Sequence, residues 1–216
     1  VLYMMCFYLF SKVHRILTFA MIACFQIIYG IIYGMSNMTL AEKLDVDERE
    51  AAMFHTDFLR RYPRIESWIE SVVEYCESNG YIETIAGRRR LLPAICSNNT
   101  AERLTAARKA VNSVVQGSAA DCLKLAMISM ERALSGGSDA QQKRFEAMLV
   151  LQMHDELMYE VPEKSSLELG RLLRQTMENV SRHFNVSLPV KVRIGANWAD
   201  LKPIDELETG EQSYSI

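Results

Sequence analysis

Four small groups of side chains in this 216-residue sequence have types and spacings that chemistry uses. His154, Asp155 and Glu156 interrupt the stretch LVLQMHDELMYEV at residues 149–161, between Leu149, Leu151 and Met153 on one side and Leu157, Tyr159 and Val161 on the other. Apolar residues at every second position are the pattern of half-buried strands, so the stretch reads as a hairpin with a charged tip. Solvent-facing turns are usually built from Gly, Asn or Pro. A His-Asp-Glu tip instead lifts a carboxylate above a rigid sheet, and binding a metal ion is one use for it. Arg108, Asn112 and Gln116 recur at four-residue intervals, which puts all three on one face of a helix. Arg88, Arg89 and Arg90 form a basic triplet after Gly87. Such a triplet is either a solvated turn or a grip on phosphates, whose oxygens match the guanidinium fork. Tyr29 and Tyr33 also lie four apart and stack on one helical face.

The elements that must position these groups follow from periodicity and punctuation. Asp47 with Glu50 starts a helix that carries Ala51, Phe54, Phe58 and Leu59 until Pro63 stops it. Ile65, Trp68, Ile69, Val72, Val73 and Cys76 predict a second helix ending at Gly80. Residues 81–93 read as a short strand, a turn at Gly87 and an extended piece. A long helix runs from Asn99 or Thr100 to about Leu134, with Leu104, Val111, Val114 and Val115 expected on the side away from the polar ridge. Gly117 inside it costs about 1 kcal/mol relative to alanine, which points to a close approach by another backbone or a ligand. A polar loop covers residues 135–144. Ser165 or Ser166 caps a helix whose Leu169, Leu172, Leu173, Met177, Val180 and Phe184 share a side. Val190, Val192 and Ile194 alternate with Lys191 and Arg193 in a further strand, and the acidic tail after Pro203 is expected to be loose.

With 49% hydrophobic residues the chain can build a sizeable core, and a net charge of −3 gives no general basic character, so any nucleic-acid contact must rest on local clusters. Five cysteines without a CxxC pair read as reduced intracellular thiols. Residues 1–35 are markedly apolar, and 16–34 are long enough to span a bilayer. The basic residues within 11–15 do not suit a signal peptide. Val1 in place of Met suggests a fragment.

QIIYGIIYGM, GRRRLLP, RKAVNSVVQGSAAD, LQMHDELMYEV and VKVRIGANW, in that order, resemble the C-terminal half of family A DNA polymerases, with the theta-type branch nearest in flavour. The resemblance spans about residues 26–202. It implies an α+β architecture of helical fingers and a palm with a small antiparallel sheet: fingers from 26 to 92, palm from 93 to 202, an acidic tail from 203 to 216, and an unmatched apolar segment from 1 to 25. It implies Tyr29 and Tyr33 as nucleotide-contacting residues on the fingers helix, Arg108, Asn112 and Gln116 as the ridge that reads the minor-groove side of primer–template DNA, and Arg88, Arg89 or Arg90 as phosphate contacts. Asp155 matches the metal-binding aspartate, with His154 beside the primer terminus and Glu156 in support. The implied cofactor is a pair of Mg2+ ions roughly 3.5 to 4 Å apart; the implied partners are primer–template DNA and dNTP, and no other cofactor or membrane is expected. The theta-type flavour suggests a nuclear repair protein, although mitochondrial or bacterial relatives share most of the motifs.

Two parts of the family pattern are missing. The second metal-binding aspartate belongs on a palm strand upstream of the fingers helix, yet residues 1–25 contain no Asp or Glu. The triphosphate-binding arginine and lysine belong eight and four residues before Tyr29, where Met21 and Phe25 stand. A mispredicted exon or retained intron would produce such a break. The expectation is a polymerase fragment without activity as this chain. The rival readings are a catalytically dead DNA-binding module, a protein anchored through residues 16–34, and a metal-dependent hydrolase using His154, Asp155 and Glu156, for which no partner cluster of His or Asp is evident.

Overall fold

The computed structural model describes residues 2–8, 27–135, 145–184 and 186–211. These fall into two compact units. One runs from residue 27 to Ser118; the other joins Leu2–Tyr8 to Ala119 and the described residues after it.

The first unit is helical apart from one short hairpin. Residues 27–32 form α1, and α2 spans Asn37–Leu44, α3 Glu48–Arg61 and α4 Pro63–Asn79. Each start has a local cause. The Ser36 hydroxyl accepts from the Thr39 amide at 3.2 Å, and one Asp47 carboxylate oxygen accepts from Arg49 and Glu50 amides at 2.8 Å each, filling donors that a helix start leaves unpaired. Pro63 occupies the first turn of α4, where its missing N–H is no loss. Gly80 ends α4 at φ 73°, its N–H bonded to the Cys76 carbonyl. Ile27, Ile31, Leu40, Ala41 and Ala51 bury one core of this unit; Cys76, Ile82, Leu92, Ile95, Ala106 and Ala110 bury another. Helix α2 did not stand out in the sequence, although Ser36 was its start signal.

Strands β2 (Tyr81–Glu83) and β3 (Arg89–Leu91) form the hairpin, and α5 runs unbroken from Thr100 to Leu134, as its periodicity predicts. The expected division of its faces holds only in part. Ala106, Ala110 and Val111 are buried, but Leu104 is 55% exposed and Val115 36% exposed. Leu104 lies one turn before Arg108, so it belongs on the same side as the arginine and beside the cavity that both line.

The second unit is a five-stranded antiparallel sheet in the order β4-β5-β1-β6-β7, from β1 (Leu2–Tyr8), β4 (Met148–Met153), β5 (Glu156–Val161), β6 (Val190–Gly195) and β7 (Lys202–Pro203). Helix α6 (Ser166–Val180) packs on it. Leu157, Tyr159, Val161, Val190, Val192 and Ile194 meet Leu169, Leu173 and Met177 of α6 and Leu123, Ala126 and Met130 of α5. Ser165 precedes α6 but makes no side-chain cap; a 3-10 turn over Glu163–Ser165 leads in instead.

Three expectations change here. Part of the apolar segment 1–25 is β1, the central strand, paired with β5 and β6 along its length. An uncharged run without Gly or Pro suits a strand flanked on both edges. The tail after Pro203 is not loose over Ile204–Glu211, which form α7: Ile204 is fully buried, and Asp205 and Glu208 pair with Arg174 and Arg171 of α6 at 2.9 and 2.8 Å. Finally, β4 is an edge strand with Val150, Leu151 and Met153 exposed, not half-buried throughout. The expected spanning segment 16–34, the loop at 136–144, and Met21 and Phe25 lie wholly or largely outside the described residues. Among the described residues no helix is long and apolar enough to cross a membrane.

Candidate nucleic-acid interface and metal hairpin

In the helical unit the candidate residues gather around α5. Tyr29 and Tyr33 stack with ring centroids 6.1 Å apart and planes 21° from parallel. Burial, and then Tyr29, push the Tyr33 phenol above its ordinary pKa, so it stays a neutral hydrogen-bonding group at physiological pH. Tyr33, Gly34, Leu104, Arg108 and Val111 line a cavity of about 350 Å³ with His55 and Glu70. Arg108 and Gln116 are exposed, whereas Asn112 is half-buried and its amide oxygen is out of solvent with no hydrogen-bond donor. A buried acceptor left unfilled is costly.

The three arginines differ from one another. Arg88 donates from Nη2 to the Gly117 carbonyl at 3.2 Å, next to Gln116. Arg90 donates from Nη1 to the Ser113 hydroxyl at 2.6 Å, next to Asn112. Arg89 turns away to Glu83 at 2.8 Å and lies 4.7 Å from the centroid of the Tyr81 ring. Arg88 and Arg90 are therefore tied beside the ridge, and Arg89 is neutralised within its own hairpin.

Gly117 explains how the hairpin reaches α5. A Cβ there would meet the Thr84 methyl at 2.6 Å, and the Ile85 amide donates to the Ser118 hydroxyl at 2.9 Å. The close approach that this glycine signalled is the turn of the β2–β3 hairpin, which sets Arg88 and Arg90 against α5. Ser113 and Ser118 were missed in the sequence because a serine on a helix usually bonds only its own preceding turn; both do so here and also serve the hairpin.

In the sheet unit, His154, Asp155 and Glu156 do sit together at the β4–β5 tip. A bulge between Leu149 and Leu151 shifts the register, so Leu149 faces Tyr159 while Leu151 faces Met158 and Met153 faces Glu156. Direct cross-strand partners share a face. The bulge thus turns Met153 and Leu151 of β4 away from the α6 side, onto the face that Glu156 already occupies by alternation with Leu157, a use bulges often have beside functional sites. His154 holds φ 52°, sparsely populated for a non-glycine residue, and its carbonyl accepts from the Gln152 amide at 2.9 Å. Asp155 is exposed. Burial, and then Asp155, raise the Glu156 pKa, with His154 opposing.

The donor set is short for a two-ion site. β1 is paired so that Phe7 stands opposite Glu156, which brings the end of this upstream strand beside the tip, yet Leu2–Tyr8 contain no carboxylate. Among the described residues no group of three or more His, Cys, Asp or Glu is placed to hold a metal. Asp155 alone offers an exposed hard-oxygen donor, enough for a hydrated ion and not for a bridged pair.

A family profile described as DNA polymerase family A matches residues 24–200. The chain belongs to DNA polymerase family A. Its family A relatives include DNA polymerase theta of Drosophila melanogaster, 39% identical over 180 residues that make up 83% of this chain and 9% of that protein. DNA polymerase I of Streptococcus pneumoniae TIGR4 is 37% identical over 81% of this chain and 19% of that protein. The chain thus spans less than a fifth of these family A proteins. The fold is similar to the POL domain of Pol1 from M. smegmatis, solved in complex with DNA primer-template and dNTP: TM-score 0.80 and 28% identity over 92% of this chain and 40% of that one. Family A polymerases generally use a divalent metal, and the start of the match at residue 24 agrees with the point where the motifs begin.

Proposed function

We propose that this chain is the nucleotide-facing and duplex-facing part of a template-directed DNA polymerase, and that by itself it grips primer–template DNA without extending it. The observation that carries the reading is the α5 ridge: Arg108, Asn112 and Gln116 at helical spacing, with Arg88 and Arg90 bonded to the neighbouring Gly117 carbonyl and Ser113 hydroxyl. Two guanidinium groups beside a row of amide and guanidinium donors suit a nucleic-acid backbone next to a groove edge. The exposed Gln116 amide, which can both donate and accept, suits the base edges of the minor groove, where guanine presents a 2-amino donor beside ring acceptors. Tyr29 and Tyr33 supply flat surfaces for an incoming nucleotide and a templating base. The M. smegmatis protein was solved with both ligands, which supports the same partners here.

Asp155 would hold one Mg2+ ion, with Glu156 and His154 shaping its surroundings. In the full-length protein a second carboxylate from elsewhere would complete the ion pair that activates the primer hydroxyl and the triphosphate. No extension step is assigned to the chain as it stands, because β1 brings no acid to the tip. The theta-type flavour of the motifs alone carries the proposal of a nuclear repair role for the parent protein, which imaging of the tagged full-length product tests.

The ridge is tested by fluorescence anisotropy with a labelled primer–template over a series of salt concentrations. Binding should weaken steeply with salt, and alanine at Arg108, Asn112 or Gln116 should weaken it further while the melting temperature holds. Binding that ignores all three substitutions would contradict the assignment.

A further inference from the structure

We infer that Gly34 is a positioning residue for Arg108: its bare Cα is the surface on which the arginine stem lies, so the turn that follows Tyr33 sets where the duplex-reading guanidinium stands. The inference rests on the DNA-binding role assigned to Arg108 above. α1 is closed by the Gly34 amide donating to the Ile31 carbonyl at 3.0 Å and the Met35 amide to the Gly30 carbonyl at 2.8 Å. Gly34 adopts φ 77° in this turn. A Cβ there would stand 3.0 Å from Arg108 Cγ and 3.6 Å from Cδ and Nε. The crowded atom is near the root of the side chain, so the stem must give by a few tenths of an ångström there, and a small turn at the first torsions swings the distant guanidinium further. Because Arg108 is exposed, it has room to move. The predicted consequence is displaced charge more than lost stability. Tyr33, Gly34 and Arg108 also line one cavity.

Backbone strain is the competing explanation, since alanine is disfavoured at positive φ whatever surrounds it. Gly80 is a matched control for strain: it has φ 73°, nothing lies within 4 Å of a Cβ built on it, and it is not among the residues assigned to binding. Primer–template affinity and its salt slope are measured for the 216-residue chain and for Gly34→Ala, Gly80→Ala, Arg108→Ala and the Gly34→Ala/Arg108→Ala pair. Arg108→Ala is expected to lose about tenfold in affinity and to lower the salt slope by about one. Gly34→Ala should reproduce much of both changes, Gly80→Ala should reproduce neither, and the double variant should bind like Arg108→Ala alone. Equal losses for Gly34→Ala and Gly80→Ala, or full additivity in the double variant, would overturn the inference and leave the Arg108 assignment standing. An Arg108→Ala chain that binds like the parent would overturn that assignment, and this inference with it.

Discussion

The duplex-facing ridge and the hairpin tip make an uneven pair. Beside α5 three candidate side chains have support: Ser113 under Arg90, the Gly117 carbonyl under Arg88, and Gly34 under Arg108. At the β4–β5 tip a strained His154, a bulge and an exposed Asp155 are in place, but the strand alongside, β1, brings only apolar residues. On the function proposed above, binding and chemistry are separable in this chain. Recognition of a duplex needs many modest contacts from a rigid surface, whereas nucleotidyl transfer needs a few charges together, and loss of one removes most of the stabilisation of developing charge.

Substitutions that dismantle either region should rank accordingly. Leu173→Ala, at a fully buried position of α6 under the sheet, should cost roughly 2–5 kcal/mol of stability and disorder the hairpin, read as a large drop in the urea midpoint with a loss of sheet signal. Gly117→Val should cost roughly 1–3 kcal/mol by pressing on the Thr84 methyl. Thr84→Ser, which removes that methyl while keeping the hydroxyl that accepts from the Arg88 amide, should recover part of the loss; no recovery would mean that the hairpin does not set the glycine requirement. Ser113→Ala should cost about 1 kcal/mol and free Arg90, weakening DNA binding modestly. Asp155→Asn, in an exposed turn, should leave stability within about 0.5 kcal/mol of the parent and abolish Mn2+-induced NMR broadening at the tip. The smallest effect is chemical. Cys76 is fully buried, and burial, with Cys96 and Glu77 adding to it, pushes its thiol pKa up, so mild alkylation should modify exposed Cys96 first and Cys76 only on unfolding.

Much of this was legible in the residues. Asp47, Pro63 and Gly80 mark α3 and α4 through effects confined to a few neighbouring residues, which is why those boundaries hold. The β5 and β6 alternation and the length of α5 were equally plain. What escaped depends on contacts remote in sequence. β1 was hidden in an apolar segment that matched no motif, because an apolar run without a wet face carries no alternation, and only its partners β5 and β6 identify it as a strand. The bulge at Val150 moved Leu151 and Met153 to the other face. Leu104 was assigned to the wrong side of α5, although its spacing from Arg108 already placed the two together. α7 looked like a solvated tail until Arg171 and Arg174 of α6 supplied its counter-charges.

Primer extension, run on samples whose DNA binding has just been confirmed by anisotropy, tests the separation of grip from chemistry most directly. With Mg2+, all four dNTPs and a 5′-labelled primer annealed to template, the 216-residue chain should hold the DNA in a salt-sensitive complex and leave the primer at its original length. Template-dependent lengthening of the primer would show that Asp155 and the residues around it suffice for catalysis, and would contradict the account.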